Sequence, residues 1–248
     1  MTCFRHLLFP FLVCLAISGT AAAAPLRIAA AADLATCMPS LNAGFDGQTS
    51  VTVGASGNFH AQILNGAPFD ILMSADTGYP QALADAGLAD GASMAVYALG
   101  QLVLWSADSR LDTSAGLALL TDPAVRRIAI ASPELAPYGR AAKAALQQAG
   151  LWDRLQQKLV YGENVAQTMQ FVESGNAQVG LVSRAHVKER PNGWVLPAGS
   201  YPALEQGAIV TARGKAHPAA ARYLSFLRSE RGRALLAACG FLLPPARH

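Results

Sequence analysis

Short apolar runs alternate with amphipathic stretches along most of the chain, and each alternation predicts a strand followed by a helix. Leu26 to Ala31 has the length and character of a buried strand, and Asp33 then stands where a helix N-cap belongs, ahead of a predicted helix over Leu34 to Ala43. Val51 to Val53 predicts a second strand, Gly54-Ala55-Ser56-Gly57 a turn, and Asn58 to Leu64 a helix. Ile71 to Ser74 and Tyr79 to Ala86 repeat the pair. A βαβαβα order implies a parallel sheet with helices on its faces, and such sheets bind ligands at the carboxyl ends of their strands.

The rhythm then starts again in different words. Leu102 to Trp105 and Ile128 to Ala131 predict strands, Pro137-Tyr138-Gly139 opens a helix toward Ala149, and Val160-Tyr161 closes a short strand. Glu163-Asn164 caps a helix reaching Ser174, and Val179 to Val182 is a further buried strand. Ala208 to Thr211 is strand-like, and helices are predicted over Pro218 to Arg228 and Glu230 to Ala238. Two α/β units of this kind predict two lobes, residues 25–104 with 208–248 forming the first and 105–207 an inserted second.

Residues 1–24 change the expected compartment. Arg5 and His6 precede an almost unbroken apolar run from Leu7 to Ile17, and Ala21 to Ala24 supplies small residues for cleavage, so a signal peptide is expected and with it a periplasmic destination. The run falls short of the roughly 20 residues a spanning helix needs. A lipoprotein reading through Cys14 is disfavoured by the bulky Val13 before it. Cys3 and Cys14 leave with the leader, and Cys37 and Cys239 remain either as one bridge or as two buried thiols. Loss of Arg5 lowers the formal net charge of +3 by one, and with 14% charged residues and no basic stretch interleaved with aromatics, nucleic acid is a poor partner. The 52% hydrophobic content suffices for a sizeable core. No CxxC or HExxH is present, so neither a structural nor a catalytic metal site is expected.

Four predicted strand ends carry small or hydroxyl residues at a helix start: Ala31-Ala32-Asp33, Ala55-Ser56-Gly57, Pro137-Tyr138-Gly139 and Asn164-Val165-Ala166. Helix N-termini offer unpaired N–H groups and the positive end of the dipole, which suits an anion. None of these turns holds Lys or Arg, although Arg140 lies just inside its helix. Neutral donors would hold a dianion and reject its protonated forms, because an added proton meets a donor. The plainer reading is that every helix needs an N-terminus and small residues permit tight packing there.

Several stretches, in order, resemble the periplasmic molybdate-binding proteins. They are Ala29-Ala30-Ala31-Ala32-Asp33-Leu34, Gly54-Ala55-Ser56-Gly57, Asn65 through Asp76 (NGAPFDILMSAD), Tyr97 through Ser106 (YALGQLVLWS), Ile128 through Pro133 with Ala136-Pro137-Tyr138-Gly139, Gly150-Leu151-Trp152-Asp153 and Glu163-Asn164-Val165. The resemblance implies an α/β, two-lobed periplasmic binding protein fold of type II, with mixed, mostly parallel sheets, helices on both faces and a ligand cleft between the lobes. It further implies capture of molybdate or tungstate, hinge closure around the anion, and delivery to the membrane permease of an ABC importer, by a monomer with no cofactor. Carried over residue by residue, Ser56 supplies a hydroxyl and an N–H, and Tyr138 and Val165 supply backbone N–H groups, with Asn164 beside them. These residues reach the metal through the oxygens of the anion and not as direct ligands.

The first turn departs from the family pattern, since members often have Ser, or a Thr-Asn pair, where this chain has Ala32 and Asp33. An ionised Asp33 would repel a dianion, so either it caps its own helix and offers only its N–H, or it is protonated and donates. The cap needs no large pKa shift and is the expectation. Ser183 stands where some relatives place a Tyr, either donating its hydroxyl or capping the next helix.

Two rivals remain. One is a binding protein for another oxyanion such as sulfate, or for a metal carried as a complex. The other is a secreted serine hydrolase built on Ser56, His60 and Asp70, which the absence of a GxSxG elbow disfavours. Asp76 and Glu163 are expected as caps or lobe-closing contacts, and Trp105, Trp152 and Trp194 as packing. Lys143, Arg154 and Lys158 are expected on solvated helix faces or on the permease-facing surface.

Overall fold

The structure is a computed structural model that describes residues 24–245; the signal peptide expected over residues 1–24, with Cys3 and Cys14, lies outside the described residues but for Ala24. The first lobe opens with β1 (Leu26–Ala31), a 3-10 turn at Ala32–Leu34, α1 (Met38–Gly44), β2 (Thr49–Gly54), α2 (Ser56–Leu64), β3 (Ile71–Ser74), α3 (Gly78–Asp85) and β4 (Ala95–Gly100). The second contains β5 (Leu102–Trp105), β6 (Ile128–Ala131), α4 (Pro137–Gln148), α5 (Trp152–Leu155), β7 (Leu159–Gly162), α6 (Val165–Glu173), β8 (Val179–Ser183), α7 (Arg184–Val187) and β9 (Gly193–Val195). The chain returns to the first lobe through β10 (Leu204–Val210), α8 (Ala220–Arg228) and α9 (Glu230–Ala238).

Each lobe is a five-stranded sheet, ordered β2-β1-β3-β10-β4 and β7-β6-β8-β5-β9. In both, a single strand runs against the others, β10 in the first and β5 in the second, each between the third parallel strand and the edge. The two sheets therefore share one spatial arrangement, without an evident sequence repeat and with the antiparallel strand last in chain order in the first and first in the second. All of β5 pairs with β8 and β9, so the boundary expected at 104/105 falls inside a strand of the second lobe and the crossover lies at Gln101. The boundary expected at 207/208 likewise falls inside β10, whose pairing with β4 begins at Leu204.

The central strands β1, β3, β6 and β8 are buried on both faces and read as continuous apolar runs, while the edge strand β2 is half exposed. Side chains alternate across β1: Leu26, Ile28 and Ala30 pack with α1, α8 and α9, and Ala29 packs on the opposite face with Phe59 and Ile63 of α2. The second lobe has its own core, which also takes in Ala31, Ala32 and Ala75 from the first, so the lobes share apolar contact across the cleft. The cysteines form a bridge, Cys37–Cys239, spanning 202 residues of sequence and tying the start of α1 to the end of α9. Closing a loop of that length stabilises by on the order of 5 kcal/mol in the chain-entropy account.

The first predicted helix starts late. Ala32–Leu34 forms a tight 3-10 turn and α1 begins only at Met38, with Pro39 in its first turn. Asp33 makes no side-chain cap bond there, which overturns the expectation that it caps its own helix. Its side chain is fully buried, where a carboxylate curling back to cap an exposed helix end has no reason to be.

Candidate functional site

Four chain segments reach one pocket at the carboxyl ends of the strands. Ala31 ends β1 and Ala32 and Asp33 follow it, Ala55 and Ser56 follow β2, Ala136 to Tyr138 open α4, and Asn164 and Val165 open α6. The cavity between their atoms is about 10 Å³. Pockets for organic ligands start at about 300 Å³, so this one suits a small inorganic ion. Glycine makes the approach possible: a Cβ on Gly139 would stand 2.4 Å from the Ala131 carbonyl oxygen, and one on Gly57 would stand 2.7 Å from that of Leu135 across the cleft.

The pocket is rich in spare donors because two of its helices, α2 and α4, are not capped by side chains. Ala55 and Ala136 precede α2 and α4 and have nothing to cap with, and Pro137 occupies a position whose N–H no helix uses. Among the described residues, the N–H groups of Ser56, Tyr138 and Val165 have no hydrogen-bond partner. The Ser56 hydroxyl accepts the Ala75 N–H at 3.1 Å, which leaves its own proton available to the pocket. Asn164 is committed, its side-chain oxygen accepting from Ala166 and Gln167 N–H at 3.0 Å each, so it fixes α6 and leaves the Val165 N–H pointing outward. No Lys or Arg is among the described residues lining the pocket.

Ser183 is not on the pocket wall. Its hydroxyl donates to the Tyr138 hydroxyl at 3.0 Å and accepts the Ala185 N–H at 3.2 Å, so of its two expected roles it takes the cap, on α7. Tyr138 thus meets the pocket with its backbone while its side chain reaches back into the hinge. There it lies near Asp33 and Gln206, and Gln206 in turn accepts from the Tyr97 hydroxyl at 3.4 Å. Burial pushes Asp33 up to about 7, against smaller opposing contributions from Tyr138, Gln206 and the N–H groups of Asp33 and Leu34. None of these is placed to make a true hydrogen bond, and both carboxyl oxygens lack a partner among the described residues.

Contacts across the cleft hold the lobes closed. The Gly57 N–H donates to the Leu135 carbonyl at 2.9 Å, and the Asn58 amide donates to the Glu163 carboxylate. Arg140 pairs with Asp76, donates to the Tyr79 hydroxyl at 3.1 Å and lies 5.1 Å above the Tyr79 ring. Asp76 also accepts the Tyr79 N–H at 3.2 Å near the start of α3. Sequence reasoning anticipated Asp76 and Glu163 as contacts but not Arg140, Asn58 or Gln206. The visible signal for Gln206 was a polar residue inside an apolar strand run.

Ser56, His60 and Asp70 are not brought together. The His60 ring sits 5.2 Å from that of Tyr79, and Asp70 accepts the Arg27 N–H at 2.8 Å and pairs with Arg213. Trp105 is buried beneath Arg190, and Lys143 lies 5.3 Å over Trp152. Lys158 is not a solvated side chain, since it donates to the Leu120 and Asp122 carbonyls at 3.1 and 3.2 Å. Arg154 is exposed, as expected.

The profile of the bacterial extracellular solute-binding proteins matches residues 26–242. The chain is 36% identical to the molybdate-binding protein ModA of Rhodobacter capsulatus over 228 residues, covering 90% of each chain. It is 35% identical to that of Azotobacter vinelandii over 234 residues, covering 91% of this chain and 92% of the relative. The solved periplasmic molybdate-binding protein of Azotobacter vinelandii superposes with a TM-score of 0.83 at 31% identity, covering 88% of this chain and 99% of that one. Fold and sequence agree, and the chain belongs to the bacterial extracellular solute-binding protein family, among the relatives of the molybdate-binding proteins.

Proposed function

We propose that this protein captures molybdate or tungstate in the periplasm and delivers it to the permease of an ABC importer. The observation that carries the reading is the convergence of Ser56, Tyr138 and Val165, each with a spare N–H, on a pocket sized for a small ion and lined by no cation. Hydrogen-bond donors fixed by three helix N-termini suit the oxygens of a tetrahedral dianion, and the macrodipoles add to the attraction. The molybdate-binding relatives in Rhodobacter capsulatus and Azotobacter vinelandii support the same ligand class. The anion is cargo, not a cofactor. The contacts between Arg140 and Asp76 and between Asn58 and Glu163 form once the lobes have closed, and that closed form is the one presented to the permease.

Thermal unfolding of dialysed mature protein with molybdate, tungstate, sulfate or phosphate tests this. Ligand at 100 times its dissociation constant stabilises by about 2.7 kcal/mol, a rise in Tm of roughly 5 to 10 °C for a chain of this size. Shifts with molybdate and tungstate alone are expected. A shift with sulfate of equal size would reassign the pocket to another oxyanion, and no shift with any of the four would remove the reading.

A further inference from the structure

Asp33 is the one acidic side chain in a pocket that otherwise offers only neutral groups and N–H donors. It is 0% exposed, and neither carboxyl oxygen has a hydrogen-bond partner among the described residues. The Gln206 amide nitrogen beside it is also unpartnered, and the Tyr138 hydroxyl already receives the Ser183 proton. An ionised carboxylate on this pocket-lining turn would be a buried charge with no partner, made costlier still by a dianion bound nearby, and the neutral acid is the form that avoids that cost.

The surroundings supply no cation to do this. The turn bearing Asp33 packs against β2, α6 and α7. No residue of β2 titrates, and Glu173, the only titratable group on α6, is paired with Arg190 at 2.6 Å. On α7, His186 is bonded to the Ala32 carbonyl at 3.0 Å, and burial lowers its pKa, so its imidazole is neutral. Arg184, also on α7, makes no bond to the carboxyl, both of whose oxygens lack a partner among the described residues. From β4 and α4, Tyr97 and Tyr138 are held protonated, first by burial and then by the Asp33 charge.

We propose that Asp33 is a neutral carboxylic acid in the ligand-bound protein, so that above neutral pH each captured dianion is accompanied by one proton taken from solvent onto this side chain. The inference rests on the oxyanion reading of the pocket. Its direction follows from linkage: a group protonated only in the complex favours binding at low pH. In the closed structure Asp33 already sits close to the switch, since burial outweighs the opposing dipoles and brings it to about 7.

Calorimetric titration of the mature protein with sodium molybdate at pH 6, 8 and 9, in Tris and in HEPES, reads both affinity and proton uptake. The dissociation constant is expected to rise about tenfold from pH 6 to 8 and close to tenfold again to pH 9, with nearly one proton taken up per anion at pH 8. Asp33→Asn, neutral at every pH, is expected to flatten the profile, and His186→Gln to leave it in place. Tight molybdate binding at pH 6 with no proton uptake at pH 8 would overturn this inference and leave the oxyanion reading standing. A pH slope that persists in Asp33→Asn, or vanishes in His186→Gln, would also overturn it. No binding at pH 6 would remove both. If Asp33→Asn does not fold, the proton count in the unmodified protein decides.

Discussion

The two halves of the pocket are made from the same part, a helix or tight turn that starts after a buried strand, and they are finished differently. The second lobe contributes Tyr138 and Val165 through their backbones, with Asn164 spent on fixing α6, so its half carries no charged side chain. The first lobe contributes the Ser56 hydroxyl and, on another turn of the same wall, Asp33 with its buried and unpartnered carboxyl. Backbone donors survive almost any substitution that keeps the helix start in place. Side-chain chemistry can therefore drift on one half while the other conserves the grip.

The comparison is broken most directly at Ser56. Ser56→Ala removes a donor to the anion and strands the Ala75 N–H, and losing a hydrogen bond to a charged group costs about 1.5 to 3 kcal/mol, so molybdate binding at pH 6 should weaken roughly ten- to a hundredfold. An unchanged affinity would put the anion elsewhere. On the other half, Asn164→Ala removes the cap of α6, and the expected loss is about 1 kcal/mol of stability, or a Tm lower by about 2 to 4 °C. Molybdate affinity should fall much less than in Ser56→Ala, because the Val165 N–H is kept, and a larger fall would mean the two halves are not independent. Arg140→Ala tests whether closure adds to either half. The pair with Asp76 is partly exposed, with 43% of the arginine and 21% of the aspartate side chain accessible. Solvent screening limits such a pair to about 1 kcal/mol, so stopped-flow release of molybdate should quicken by no more than about fivefold. His60→Ala should change affinity least of all, since its ring packs on Tyr79 outside the pocket.

The sequence made the parallel strands readable because they are buried on both faces, and β1 and β3 were predicted with the bounds the structure has. The four pocket-lining turns were readable for a related reason: small residues after an apolar run mark a helix start packed close to something. The strands β4 and β9 were not foreseen. β4 carries Tyr97 and Gly100 in a half-buried pattern, and β9 has only three residues, so neither shows the continuous run that marked the others. β10 was placed four residues late because Glu205 and Gln206 interrupt its apolar character, and the bulge between Gln206 and Gly207 breaks its register. Asp33 was misread because capping is a local inference, whereas its burial is produced by Tyr138, Gln206 and the opposing lobe, which lie more than a hundred residues away in sequence.

The Cys37–Cys239 bridge also makes the chain a closed circle with two short tails, and the whole second lobe is an arc of that circle. A single proteolytic cut in an exposed loop of the second lobe opens the circle without releasing a fragment. The nicked protein keeps its mass on a non-reducing gel and falls into two pieces only when thiol is added. Both sides of the binding pocket thus remain on one covalent body after the first cut, and separating them takes a second cut or a reductant.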